Sequence, residues 1–318
     1  MIGFDIGGTK CAVSIGEVRD GALCILDKKK IPTDLSVSPY EMIDRLCALA
    51  EEMTNDFSAI GISCGGPLDA ARGVILSPPN LPGWDEVFIV PYLQKRYGGA
   101  VCMENDANAC AVAEWRFGAA RGAKNAVFLT FGTGLGAGLI LDGKLYRGSC
   151  GNAGEVGHIR LAKGGPVGYG KAGSFEGFAS GGGIAQLARA AAKKAIKGGA
   201  PLSWCKSEAD LPLVNAATLA AAARAGDAVA LKIWRTAAKR LGQGLSLLVD
   251  ILNPEKIVIG SIYLRAEDLL RDEMLRVMKK ECLAASLATA SVVGAGLGES
   301  LGDYAALSLA AELKGETV

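Results

Sequence analysis

Apolar residues near the start of the chain fall in short unbroken runs, each closed by glycine. Ile2 to Ile6 meets Gly7-Gly8-Thr9 and resumes as Cys11 to Ile15, which predicts strand, glycine turn, strand. Leu23 to Ile31 predicts a third strand. From Pro39 to Met53 the spacing turns helical, with Met42, Leu46, Leu49 and Met53 on one face. Ala59 to Cys64 reads as a buried strand ending in Gly65-Gly66-Pro67. Val87 to Tyr97 reads as a helix, Ala100 to Met103 as a strand and Ala107 to Phe117 as a helix.

The pattern then restarts. Ala126 to Phe131, Gly132-Thr133-Gly134 and Leu135 to Leu141 repeat the opening strand, turn and strand, a weak internal repeat with one copy per domain. Residues 148–183 are glycine-rich and polar with little periodicity, and so long an irregular stretch in a compact enzyme is usually functional. Helices are predicted from Ile184 to Ile196, Ala216 to Ala223, Ala228 to Leu252, Ala266 to Glu281 and Asp303 to Leu313, with strands at Lys256 to Ile259 and Ala290 to Val293. Two repeated halves that mix strands and helices predict an α/β protein of two lobes with a cleft between them, the place ligands favour.

Composition narrows the class. At 318 residues the chain exceeds what one core usually serves. Half the residues are hydrophobic and 21% charged, a globular balance, and a net charge of +1 gives no basic field for nucleic acid. Lys28-Lys29-Lys30 reads as a solvated hairpin edge. Asp5 and Lys10 break the N-terminal apolar stretch, so no targeting signal is expected, and Arg224 and Asp227 make the Ala216–Ala230 region too polar to span a bilayer. A cytoplasmic protein with no membrane partner is expected. The nine cysteines are odd in number and contain no C-x-x-C pair, which points to reduced, mostly buried thiols rather than disulfides or a zinc cluster.

Five constellations carry candidate chemistry. In Asp5-Ile6-Gly7-Gly8-Thr9-Lys10, a glycine turn can aim backbone N–H groups at phosphate oxygens, while Asp5, Thr9 and Lys10 supply a carboxylate near a metal, a hydroxyl and a cation. The alternative is an ordinary hairpin turn. Gly132-Thr133-Gly134-Leu135-Gly136 offers a second cradle, or a second tight turn. Asn105-Asp106 opens a helix; Asp106 suits a general base for a hydroxyl, with the amide fixing the sugar, although the residues taken alone favour Asp106 as the helix cap. Glu155, His158 (the only histidine) and Glu176 suit hydrogen bonds to sugar hydroxyls. Asn80, in Pro79-Asn80-Leu81 before Trp84, is either a further hydroxyl contact or part of a turn over a packed tryptophan.

Together these segments resemble the ROK family of repressors, open reading frames and sugar kinases. The matches run in order: Asp5 to Thr9, Gly61 to Pro67, Asn80 to Trp84, Asn105 to Glu114, Gly132 to Gly136 and Gly151 to His158. The resemblance implies an actin-like ATPase (ribonuclease H-like) fold, with one lobe at 1–117 plus a returning C-terminal helix at 303–318, and the other at 118–302. It implies an ATP-dependent sugar kinase with Asp106 as general base and Asn80, Asn105, Glu155, His158 and Glu176 on the sugar. Gly7, Gly8, Thr9, Lys10, Gly132, Thr133 and Gly134 would face ATP, with Asp5 near Mg2+. A homodimer is the family-level expectation. The acceptor stays open among glucose, N-acetylmannosamine, fructose and related sugars, and the donor between ATP and polyphosphate. The other readings are a non-catalytic sugar binder or a transcriptional regulator; Asp5 lies four residues after Met1, leaving no room ahead of it for a DNA-binding domain in this sequence.

Two departures from the family pattern stand out. Where many members carry three zinc-binding cysteines, this chain has Val167, Tyr169 and Ser174, so no zinc site is expected. Without that metal, packing by Tyr169 is the expected support for His158. Gly260-Ser261-Ile262 stands where a glycine triplet is common, in the region expected near the nucleotide base.

Overall fold

Two five-stranded sheets built to one plan dominate the computed structural model, which describes residues 1–316. Residues 317 and 318, the end of the predicted 303–318 segment, lie outside the described residues. The chain opens with β1 (Ile2–Ile6), β2 (Lys10–Arg19), β3 (Ala22–Pro32), α1 (Pro39–Met53) and β4 (Ala59–Cys64). A small hairpin of β5 (Leu68–Asp69) and β6 (Val74–Ile75) leads to α2 (Ile89–Tyr97), β7 (Ala100–Asn105) and α3 (Asp106–Phe117). Then come β8 (Ala126–Phe131), β9 (Leu135–Leu141), β10 (Lys144–Tyr146) and a second small hairpin, β11 (Val167–Gly168) and β12 (Lys171–Ala172). The helices α4 (Phe175–Phe178), α5 (Gly181–Lys197), α6 (Ala216–Arg224) and α7 (Ala228–Leu252) follow. After them run β13 (Lys256–Ile259), α8 (Ile262–Glu281), α9 (Ala284–Thr289), β14 (Ser291–Gly294) and α10 (Leu301–Leu313).

The first sheet is ordered β3-β2-β1-β4-β7 and the second β10-β9-β8-β13-β14. Counted within itself, each runs third, second, first, fourth, fifth, so the repeat read in the glycine hairpins extends to whole sheets. β1 is antiparallel to β2 and parallel to β4, and β4 is parallel to β7. In the second sheet β9 and β10 are antiparallel and β13 and β14 parallel. The chain divides into two compact units: Met1–Phe128 with Gly138–Ala153 and the chain from Ala295 onward, and Leu129–Ala137 with Gly154–Gly294.

Strand alternation explains how the first sheet is covered. Ile2, Phe4 and Ile6 point to one face and join Ile60, Ile62, Val101 and Met103 in a core with Met42, Ile43 and Leu46 of α1 and Ile89 and Leu93 of α2. Each such side chain contributes about 1.5–3 kcal/mol by leaving water. On the other face Gly3 and Gly61 form a floor for α10. A Cβ on Gly3 would lie 2.9 Å from Ala306 Cβ, and one on Gly61 only 2.0 Å from the Ala306 carbonyl oxygen, so the helix sits this close only over glycine.

The edge position of β3 agrees with the reading of Lys28-Lys29-Lys30, but Lys28 is not a solvated charge. Its Nζ pairs with Asp303 in the first turn of α10, and Ser14 Oγ donates to the other Asp303 oxygen at 3.0 Å. In the second unit α7 packs along α8, with Gly242 against Met274 and Val277 and Gly244 leaving room for the Phe175 ring.

Boundaries moved where local partners intervene. Val87 pairs with Ile75 in a β-bridge, so α2 starts at Ile89. α8 begins at Ile262, with a non-helical Ala266 (φ −139°) at the predicted start. Residues 148–183 hold more order than their composition suggests: a 3-10 turn at Val156–His158, the β11–β12 hairpin, α4 and the start of α5. The nine cysteines are free thiols, and among the described residues no helix is long and apolar enough to cross a membrane.

Candidate active site

The first unit gathers Asp5, the Gly7-Gly8-Thr9 turn, Lys10, Asn80, Asn105 and Asp106. Asp5 shares a strand face with Gly3 and reaches α10, where Gly302 leaves room for it; a Cβ there would lie 2.9 Å from Asp5 Oδ2. The turn is closed by Gly7 N donating to Lys10 O at 3.2 Å. It is pinned from β3's end by Thr33, whose Oγ1 donates to Gly7 O at 2.5 Å and whose N donates to Thr9 O at 3.1 Å. Gly8 touches the Asn80 backbone so closely that a Cβ would sit 2.2 Å from Asn80 O. Asn80 is exposed, in a turn anchored by buried Trp84, so turn and candidate contact coexist.

At the start of α3 the cap is Asn105, not Asp106. Asn105 has extended backbone (φ −67°, ψ 156°), and its Oδ1 accepts from Asn108 N at 2.8 Å. Asp106 is therefore the first helical residue and accepts only its neighbour's Ala107 N at 2.8 Å among the side-chain bonds that shape the helix start. Its side chain keeps contact with solvent, yet the protein around it pushes the carboxyl up from the ordinary aspartate value, opposed by the Ala107 bond. Burial also raises Asp5, with the charge of Asp106 adding to the effect and Lys28, Lys10 and Lys30 opposing it.

Sequence reading missed two acids here. Glu104, 2% exposed, accepts from Asn105 N at 3.2 Å, Asn108 Nδ2 at 3.0 Å and Arg147 Nε at 2.6 Å. Glu114, fully buried, accepts from Ala119 N at 2.7 Å, Gly296 N at 3.0 Å and Leu297 N at 2.9 Å. Three donors compensate each buried charge. Glu104 had its i, i+4 spacing to Asn108 as a signal, and Glu114 stood as the last residue of the Asn105 to Glu114 motif without a role assigned to it.

The second unit gathers Gly132, Thr133, Gly134, Glu155, His158 and Glu176. Gly132 O accepts from Gly181 N at 2.8 Å and Thr133 O from Gly182 N at 3.1 Å, so the turn docks on the N-terminus of α5. Ser180 caps that helix, its Oγ accepting from Gly183 N at 3.0 Å. This Ser-Gly-Gly-Gly segment was also missed, although a cap residue before a glycine run is a readable signal. Ser261 lies beside the same turn; a Cβ on Gly132 would meet its Oγ at 3.8 Å.

Glu176 ties the cluster together. Its Oε2 accepts from Leu135 N at 3.0 Å, and its Cβ lies 3.2 Å from where a Gly157 Cβ would stand. Glu155 and His158 are exposed on the adjoining 3-10 turn, with His158 N donating to Glu155 O at 3.2 Å.

The β11–β12 hairpin touches both His158 and Glu176. Lys171 Nζ donates to His158 O at 2.9 Å, while a Gly168 Cβ would meet Glu176 Cβ at 2.8 Å. Gln186 clamps the strand, accepting from Val167 N at 2.9 Å and donating to Val167 O at 2.8 Å. Val167, Tyr169 and Ser174 do not fit a thiolate metal site: two lack a suitable donor, and Ser174 Oγ accepts Gly177 N at 3.0 Å as the cap of α4. Tyr169 meets His158 only edge-on, with ring centroids 6.2 Å apart at 76°. The firmer hold on this turn is the Lys171 bond to the His158 backbone.

Two sheets of one topology, each opened by a glycine-turned hairpin, define an actin-like ATPase fold. The chain belongs to the ROK family, whose pattern matches residues 1–313. It is 31% identical over 315 residues to a glucokinase of Streptomyces coelicolor, covering 98% of this chain and 97% of that one. It is similar to the structure of a ROK hexokinase from Thermus thermophilus, with a TM-score of 0.79, 31% identity and 99% of both chains covered. It is also similar to a ROK family glucokinase from Streptomyces griseus solved with glucose and AMPPNP, with a TM-score of 0.77, 31% identity and coverage of 98% and 99%.

Proposed function

We propose that this protein is an ATP-dependent carbohydrate kinase that transfers the γ-phosphoryl group to a hydroxyl of a hexose, with glucose or a related sugar such as N-acetylmannosamine or fructose as acceptor. The observation that carries the residue assignment is at the start of α3. Asn105 does the capping, so the Asp106 carboxylate is not used as the cap and stays solvent-accessible, while desolvation by the surrounding protein raises it above its ordinary value. A base must reach the proton it takes and must have some affinity for it, and Asp106 meets both needs.

In this reading Asp106 accepts the proton of the attacking hydroxyl. The sugar oxygen forms its bond to the γ-phosphorus as the bond to the leaving ADP oxygen breaks. Asn80, Asn105, Glu155, His158 and Glu176 orient the sugar. The backbone N–H groups of Gly7, Gly8 and Gly132 to Gly134, with Thr9, Thr133 and Lys10, face the phosphates and stabilise their charge. Asp5 fits a hard cation, being a desolvated acid beside a second acid. Mg2+ there would neutralise phosphate charge. The lobes are taken as 1–117 with the C-terminal helix and 118–302, and the protein as a cytoplasmic homodimer. Relatives named glucokinase or hexokinase support the reaction class.

The test is ADP release with Mg-ATP and a panel of hexoses, amino sugars and glycosides, with Asp106→Asn as control. Sugar-dependent turnover lost in the variant supports the reading. A folded, nucleotide-binding protein that turns over no sugar overturns it in favour of a binding or regulatory role.

A further inference from the structure

The β11–β12 hairpin turns through Tyr169 and Gly170, both left-handed, with φ of +43° and +75°. Two-residue turns of this hand favour asparagine, aspartate or glycine at the first position, and a bulky ring there is strained. The ring gains no burial in return, since Tyr169 is 74% exposed. Strain kept at a residue so little buried points to a contact made outside the chain. The mount is rigid: Gln186 clamps Val167, Lys171 holds the His158 carbonyl, and Gly168 lies flush against Glu176. The hairpin backbone is thereby held in place, with the exposed ring edge-on to His158.

We infer that Tyr169 is a specificity-determining residue that receives the apolar C–H face of a sugar ring and so contributes to the choice of acceptor. A rigid aromatic offers large contact area at small entropic cost, which suits a ligand with one apolar face. The inference rests on the sugar-kinase reading and deepens it.

The experiment compares wild type with Tyr169→Ala, Tyr169→Phe and Tyr169→Asn, measuring acceptor KM, kcat and ATP KM, sugar binding by calorimetry, and Tm. Tyr169→Ala and Tyr169→Asn are expected to raise acceptor KM about 3–10-fold, with kcat within about twofold. Tyr169→Phe stays near wild type. Asparagine suits the turn, so Tyr169→Asn raises Tm while weakening sugar binding, a combination that misfolding does not produce. Acceptor KM unchanged in both Tyr169→Ala and Tyr169→Asn overturns the inference alone. A wild type that neither binds nor phosphorylates any sugar overturns the kinase reading and this inference together.

Discussion

Arg147 Nε donates a 2.6 Å hydrogen bond to Glu104 Oε2, directly behind the Asn105-Asp106 pair. The same carboxylate accepts the Asn105 N–H and the Asn108 amide, so it fixes the bend from β7 into α3. Arg147 O in turn accepts from Ala153 N at 3.1 Å, which ties this bend to the glycine-rich segment ahead of Glu155. Removing Glu104 leaves three donors short of a partner. Glu104→Ala is expected to cost about 2–3 kcal/mol in urea unfolding. Glu104→Gln should keep the fold and lower kcat about 10–100-fold with sugar KM little changed, and Arg147→Lys should fall between it and wild type. Wild-type kcat in Glu104→Gln would remove the positioning role.

Asp106→Asn is expected to lower kcat about 100- to 10,000-fold while ATP still binds. The acid limb of the wild-type profile should lie above the ordinary aspartate value of 3.8, because the Asp106 carboxyl is raised. The stability sign follows from the same shift. An acid with a raised folded value keeps its proton where the unfolded chain has released it, so its ionisation weakens the fold above the folded value. The penalty disappears as pH falls below 3.8. Asp5 shares this sign, raised by burial and by the Asp106 charge, and is the less exposed of the two acids, so Asp5→Asn should raise Tm by about 1–2 °C near neutral pH, and the gain should vanish in acid. A Tm gain that grows on acidification contradicts this account.

Chelation separates a protein-built support from a metal-built one at His158. Protein treated with excess chelator and returned to magnesium should keep its Tm and sugar KM. Lys171→Met, which removes the 2.9 Å bond to His158 O, should raise sugar KM about 3–10-fold. Chelator-induced loss of Tm, with Lys171→Met silent, would transfer the role to a bound metal.

Ser261 holds φ +54° and ψ −112°, a conformation natural to glycine and strained for serine. Ser261→Gly should stabilise the protein by about 1 kcal/mol, the strain relieved exceeding the entropy glycine adds to the unfolded chain. Thermal unfolding should register a rise of about 2 °C. A lower Tm would mean that a bond made by the serine hydroxyl outweighs the backbone strain.

Much of the fold was legible because its signals are local. Alternation in Ile2 to Ile6, helical spacing in Pro39 to Met53 and glycine after each apolar run depend on residues within a turn or two of one another. The α/β class, the duplicated hairpins and the order of the motifs followed from them. The short elements β5, β6, β10 and α9 span too few residues to show a period.

The candidate site was legible as residue types but not as bonding. The sequence alone determined that glycine turns, Asp5, Asp106 and the Glu155 to Glu176 segment belong to one family pattern. Only the tertiary structure decided that Asn105 rather than Asp106 caps α3. Other decisive bonds join positions far apart along the chain: Thr33 to Gly7 across 26 residues, Arg147 to Glu104 across 43 and Ser14 to Asp303 across 289. No local pattern encodes such pairs. A buried acid or a bare glycine becomes interpretable only when packing brings its donors, or the helix that rests on it, within a few ångströms.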